Sequence, residues 1–250
     1  MPLSAANSLA ALRRRLAALE TAVPSLARVC DAGLGPLACC GVETAPGALH
    51  EVAARAESDM AAASGFTLAL AAGAAQGRAA LWIAEDLSLA ESGALYGPGL
   101  EDFGLKPEQL IRVAVAHERE VLWAMEEGLR CRGVGAVIGE IRTRGVGLTE
   151  SRRLALAAGH AGVTAFLLRA VPVGAPLAAA TRWIVGTAPS AANPHGPGPP
   201  RLTVHLTRNR RGSQGSWVLE WNSVEQRFAA DRQPVAAADF DRPDRAASGA

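Results

Sequence analysis

The stretch Gly47-Ala-Leu-His-Glu-Val-Ala-Ala-Arg-Ala-Glu-Ser-Asp-Met-Ala-Ala-Ala-Ser-Gly-Phe66 decides the fold. Residues 48–53 form a short apolar run suited to a buried strand, a tight loop follows, and a helix begins near Ser58. Nucleotide-binding α/β proteins place a phosphate loop at such a junction. That chemistry needs glycines, so that backbone N–H groups can close on the phosphates. It also needs a lysine for the outer phosphates and a Ser or Thr hydroxyl for magnesium. The loop Ala54-Arg55-Ala56-Glu57-Ser58-Asp59-Met60 has no glycine and no lysine, and it sets two carboxylates where phosphate charge would lie. The one lysine of the chain, Lys106, precedes a proline far from this loop. The stretch therefore predicts a phosphate-loop scaffold stripped of its chemistry. Ala54, Arg55, Ser58 and Asp59 are relic positions, and no cofactor is expected.

Outward from this stretch, strand and helix patterns alternate. An Ala-rich helix over 58–75 is followed by strands at 79–85, 109–115, 133–141 and 163–169. Helices are expected at 118–131 and 149–159, with a loop and short helix over 95–104. Such β-α-β alternation predicts an α/β fold with a mainly parallel sheet sandwiched by helices. A strand at 181–185 follows. Residues 202–207 and 216–221 then alternate with period two around Asn209-Arg-Arg-Gly-Ser-Gln-Gly215, the pattern of an antiparallel β-hairpin with a basic tip. Ahead of the core, Leu9, Leu12, Leu16 and Leu19 lie on one face of an expected helix over 4–20, and residues 21–47 are irregular. The expected organisation is a lead-in over 1–44, a core domain over 45–228 and a polar, disordered tail over 229–250.

The 250 residues carry a formal charge of +1, so overall charge names no partner. Its distribution is uneven. Residues 1–141 hold 11 basic and 17 acidic side chains, whereas residues 142–232 hold 12 basic and 4 acidic, which suggests an anion-facing surface in the second half. The cysteines Cys30, Cys39, Cys40 and Cys131 form no Cys-x-x-Cys pair, and the histidines do not fall at ligand spacing. No metal site is expected. His50-Glu51 and His117-Glu118 lack the second histidine of a zinc helix, and Gly133-x-Gly135 lies inside a strand pattern rather than at a dinucleotide-binding turn. No Gly-x-Ser-x-Gly elbow occurs. Reduced cysteines, no apolar run of membrane length and no basic-then-apolar leader predict a cytoplasmic protein.

The order of elements resembles the RecA-type ATPase core, and several tracts resemble one family within it, ImuA. The tracts are Gly47-Ala-Leu-His-Glu-Val, Leu95-Tyr-Gly-Pro-Gly-Leu, Glu120-Val-Leu-Trp-Ala-Met-Glu-Glu, Thr149-Glu-Ser-Arg-Arg-Leu, Ala178-Ala-Ala-Thr-Arg-Trp and Gly215-Ser-Trp-Val-Leu-Glu-Trp. They span residues 45–222. The resemblance implies an accessory role in damage-induced (SOS) error-prone translesion synthesis. The implied partners are ImuB, an inactive Y-family polymerase homologue, a DnaE-type polymerase, RecA and DNA. It also makes Glu140 the relic of the magnesium-organising acid and Glu85 the relic of the water-activating acid. No catalytic residue is expected, and ATP hydrolysis is not expected.

Contacts with DNA or a partner are assigned to Arg142 and Arg144, after the central strand, and to Arg208, Arg210 and Arg211 at the hairpin tip. Few aromatics interleave these arginines, so DNA binding is expected to be weak, salt-sensitive and non-specific. Two other readings are an SOS cell-division inhibitor, a family with a related degenerate core but shorter chains, and a divergent ATPase in which Arg55 replaces the lysine.

Overall fold

The computed structural model describes residues 36–230, apart from residues 41, 43, 94, 143–145 and 191–197. The expected helix over 4–20, Cys30, Arg144 and most of the tail lie outside these. Nine strands form one sheet in the order β3-β2-β4-β5-β1-β6-β7-β8-β9. β1 is Leu49–Ala54, β2 Ala79–Glu85, β3 Leu110–Val115, β4 Val134–Ile141, β5 Thr164–Arg169 and β6 Thr181–Thr187. These six run parallel. β7 (Arg201–Asn209), β8 (Gly215–Asn222) and β9 (Arg227–Ala230) continue the sheet antiparallel.

β1, β4 and β5 are buried at every position, as near-continuous apolar runs must be when both faces of a parallel sheet are covered. Helix α1 (Met60–Ala75) covers one face. It is apolar almost all round, so its sequence shows no clean stripe, and most of its residues are buried. Two short helices, α2 (Asp86–Ser92) and α3 (Gly97–Asp102), follow β2. The opposite face is covered by α4 (Glu118–Leu129) and α5 (Leu148–Ala161).

Gly135 explains the Gly133-x-Gly135 pattern. A Cβ there would lie 2.7 Å from the backbone Cα of Ala75, so the end of α1 rests directly on β4. His50 is a core residue. Its ring stacks on Phe166 with centroids 5.5 Å apart, and its nitrogens meet Thr181 Oγ1 (2.7 Å) and the Ala45 carbonyl (3.1 Å). Burial pushes its pKa down, which favours the neutral ring.

The antiparallel strands are locked to α1 by a chain of aromatic rings. Phe66 contacts Trp183 and Phe228 at 5.5 Å each, and Phe228 meets Trp221 edge-on at 4.7 Å. Trp221 Nε1 donates to the Asp102 carbonyl at 2.7 Å. Leu37 and Val42 are buried in the core ahead of residue 45, and β9 takes in Ala229 and Ala230, which the sequence pattern places in the tail. A strand of four residues pairing only at the sheet edge leaves no periodicity to read.

Candidate functional site

The C-terminal ends of β1, β4 and β6 bring the relic positions together. After Ala54 the chain does not open into a phosphate cradle. Glu57–Asp59 form a single 3-10 turn, with the Asp59 N–H on the Ala56 carbonyl at 2.9 Å. Arg55 bends back so that its Nε donates to Asp59 Oδ2 at 3.0 Å. The other carboxylate oxygen, Oδ1, accepts from the Thr187 N–H at 2.8 Å and from Thr187 Oγ1 at 2.9 Å. Asp59 is buried, while Arg55 stays about one third exposed. The Arg55 guanidinium also lies against Gly186, where a Cβ would stand 2.9 Å from Arg55 Cζ. Ala54 is buried in the core, and Ser58 points outward on the turn. One carboxylate thus ties the loop after β1 to the end of β6, and the space above the first turn of α1 holds Arg55, Glu57 and Asp59.

The two relic acids stand on neighbouring strands. Glu140, near the end of β4, is 6% exposed; its Oε2 accepts from Trp82 Nε1 at 3.2 Å, and Arg142 Nη2 lies 3.6 Å from Oε1. Burial raises its pKa, against the opposing pull of the Trp82 N–H and Arg142. Glu85 Oε2 accepts the backbone N–H of Arg142 at 3.2 Å. Burial works against the ionised Glu140 oxygens that a divalent cation would want. Among the described residues no group of three or more His, Cys, Asp or Glu side chains could hold a metal. Between the start of α1, β2, α3 and Glu140 lies a cleft of about 510 Å³, with Met60, Leu68, Trp82, Leu100 and Phe103 in its mostly apolar wall.

No protein-family model matches the chain. Protein ImuA of Caulobacter vibrioides, in two strains, is 33% identical over 157 residues, covering 58% of this chain and 61% of the relative. Over this stretch the chain is similar to Protein ImuA. It spans about three fifths of the length of the curated relatives it matches. The crystal structure of the RadB recombinase superposes with a TM-score of 0.51 over 75% of this chain and 93% of that one, at 15% identity, a likeness of fold alone. The RecA-like core expected from the order of elements is the architecture present.

Of the arginines assigned to DNA, the four among the described residues, Arg142, Arg208, Arg210 and Arg211, do not share one surface. Arg142 follows β4 at the C-terminal edge of the parallel strands, where Arg144 lies outside the described residues. The hairpin tip is at the opposite edge, because Thr181 pairs with Asn209 whereas Thr187 pairs with Leu202. Six residue steps of β6 separate the two edges by roughly 20 Å. Arg142 is also spoken for. Its guanidinium bonds Glu91 Oε2 at 2.9 Å and Ser92 Oγ besides facing Glu140, and only 13% of the side chain is exposed. Arg142 is an internal tie between the end of β4 and α2. Arg208 is half-buried, with Nη1 on the Leu177 carbonyl at 3.1 Å, and Arg210 and Arg211 are exposed.

Thr187 and Trp82 complete this site, and sequence reasoning misses both. Thr187 meets Asp59 across 128 residues, and only the β1–β6 pairing reveals it.

Proposed function

We propose that this chain is an ImuA-type protein, a non-catalytic RecA-like scaffold in SOS-induced, error-prone translesion DNA synthesis. In this reading it bridges an ImuB-type inactive Y-family polymerase homologue, RecA and DNA, beside an error-prone DnaE-type polymerase. The observation that carries the loss of catalysis is the closed Arg55–Asp59–Thr187 arrangement. Phosphate bound at a helix N-terminus needs unpaired amides and a net positive site. The turn here supplies the carboxylates of Glu57 and Asp59 instead, and its one cation is neutralised by Asp59. Phosphoryl transfer is positioning plus charge stabilisation, and neither is available without a bound phosphate. The role in mutagenesis rests on the ImuA likeness joined to the RecA-like fold.

The test is co-elution of the purified chain with the ImuB homologue of the same organism on size exclusion, with and without magnesium and ATP. A complex of equal yield in both conditions is the expected result. A complex that forms only with ATP, or ATP turnover abolished by Glu140→Gln, would overturn the non-catalytic reading.

A further inference from the structure

The uneven charge of the sequence resolves, in the fold, into two edges of the sheet. The edge formed by the C-terminal ends of the parallel strands carries Glu57, Asp59, Glu85, Asp86, Glu91 and Glu140. The opposite edge collects cations from segments far apart in sequence. Arg78 precedes β2, Arg130 and Arg132 precede β4, and Arg208, Arg210 and Arg211 flank the β7–β8 turn. The Gln109 side chain on the Gly77 carbonyl at 2.9 Å and the Ala79 N–H on Gly133 O at 3.2 Å confirm that these connections share one end of the sheet. The acids facing the same way are few. Glu127 pairs with Arg130 at 2.9 Å, and Glu108 is offset by Lys106 two residues before it. Among the described residues, Arg78, Arg132, Arg208, Arg210 and Arg211 have no carboxylate partner. Arg78 and Arg208 are each held by one N–H on a backbone carbonyl (Val134 at 3.2 Å, Leu177 at 3.1 Å), which fixes the side chain and leaves its charge unneutralised.

The two clusters stand at either side of an uncharged saddle formed by the starts of β5 and β1, where Gly47 and Gly162 pack backbone to backbone. Counting strands from β4 to the β7–β8 turn puts them roughly 20 Å apart. That span reaches phosphates on both sides of a DNA groove about 12 Å wide.

We propose that this N-terminal edge of the sheet, not the edge bearing the relic nucleotide loop, is the surface that holds duplex DNA, through phosphate contacts from Arg78, Arg132, Arg208, Arg210 and Arg211. Duplex rather than single-stranded DNA fits because Arg78 and Arg208 are held in place and, among the described residues of this edge, no aromatic ring is fully exposed for bases to stack on. The inference rests on the reading that DNA is among the partners.

The experiment is fluorescence anisotropy of a labelled 25-base-pair duplex with the full chain between 50 and 200 mM NaCl. About five phosphate contacts predict a slope of log K on log salt near −4.5. The double charge reversal Arg210→Glu/Arg211→Glu is expected to weaken binding at least tenfold and to flatten the slope by about two. Arg132→Glu alone tests the second cluster and is expected to flatten it by about one. The charge-matched control Arg119→Glu/Arg152→Glu, at exposed positions on the other side of the molecule, is expected to leave affinity within about threefold. Unchanged thermal melting establishes that each variant folds, and Arg210→Gln/Arg211→Gln, expected to weaken binding less but in the same direction, substitutes for a reversal that does not. Equal losses in the control and the hairpin variant would overturn the assignment of the edge. Loss of binding to the polymerase homologue with duplex binding intact would do the same and make the edge a protein interface. No duplex binding by the wild type would also overturn it, while ATP-indifferent co-elution with the polymerase homologue would leave the scaffold reading standing.

Discussion

Replacing Asp59 tests whether the relic loop is held shut by its own side chains. The buried carboxylate accepts three hydrogen bonds, from Arg55 Nε, Thr187 N and Thr187 Oγ1, and so ties the loop after β1 to the end of β6. A hydrogen bond to a charged group contributes about 1.5–3 kcal/mol when its partner is left buried. Arg55 and Thr187 both reach solvent and can turn to water, so the three contacts together are discounted to about 2–4 kcal/mol for Asp59→Ala. For a domain of this size that is roughly 4–16 °C in melting temperature. Asp59→Asn keeps the oxygen that Thr187 needs and gives up the charge facing Arg55, so its cost is about 1–2 kcal/mol. Urea unfolding followed by circular dichroism measures both variants, and Thr187→Val combined with Asp59→Ala closes a double-mutant cycle. The double variant is expected to cost less than the two single changes added together, because they remove shared bonds. An Asp59→Ala protein within about 0.5 kcal/mol of wild type, with an additive cycle, would refute the reasoning.

Other perturbations read other parts of the fold. Burial raises the Glu140 pKa, so the folded state binds this proton more tightly than the unfolded chain does; the cost is absent below the unfolded value and grows as pH rises towards the folded value. Glu140→Gln should therefore gain stability relative to wild type between pH 5 and pH 7.5, read as a growing difference in urea midpoint. Cys39 Sγ sits 3.6 Å from Cys40 Sγ, and the hydrogen bond between the two sulfurs brings the Cys39 pKa down to about 7 and, together with burial, pushes that of Cys40 up. Iodoacetamide followed by peptide mass mapping should label Cys39 with a pH midpoint near 7, ahead of buried Cys131, and Cys40→Ala should move that midpoint up. Gly135→Ala pushes a methyl into the backbone of α1 and should cost about 3 kcal/mol or more. Gly139→Ala meets only the flexible Met125 side chain and should cost about half as much in the same unfolding assay.

The parallel core is legible because its strands are short apolar runs between helices, and both-face burial erases any other pattern. The hairpin is legible from period two around Asn209 to Gly215. β9 is not, since Arg-Phe-Ala-Ala offers one buried ring, Phe228, and pairs only with β8. The relic loop is readable from the residues it lacks, but its closure is not. The bond from Asp59 to Thr187 depends on β6 lying beside β1, which sequence order does not give. The arginines at 142 and 208–211 look like one basic surface in a linear count of charge. The crossing of β7 back along β6 separates them by the length of a strand, and Arg142 is turned inward by Glu91 and Glu140.

Two consequences of that separation point the same way. In a nucleotide-binding sheet the C-terminal edge must be positive, because phosphate and its metal gather there. Here that edge has kept its acids without a lysine or a glycine cradle, and Arg55 and Arg142 are used up against those acids. A polyanion approaching it meets carboxylates that long-range attraction cannot overcome. At the other edge the arginines come from β2, β4 and the β7–β8 turn, so no single loop carries them and only the assembled sheet aligns them. This alignment does not depend on what the other edge holds, because the aromatic chain from Phe66 through Phe228 to Trp221 fixes β6–β9 on α1. A variant that loosens that chain, such as Phe228→Ala, should therefore weaken duplex binding as well as stability, although residue 228 lies towards the acidic edge, far from the arginines. Its loss of affinity should be largest near its own melting temperature and fade on cooling, as measured by anisotropy across 10–40 °C. A temperature-independent loss would mean that the hairpin holds its place without the aromatic chain.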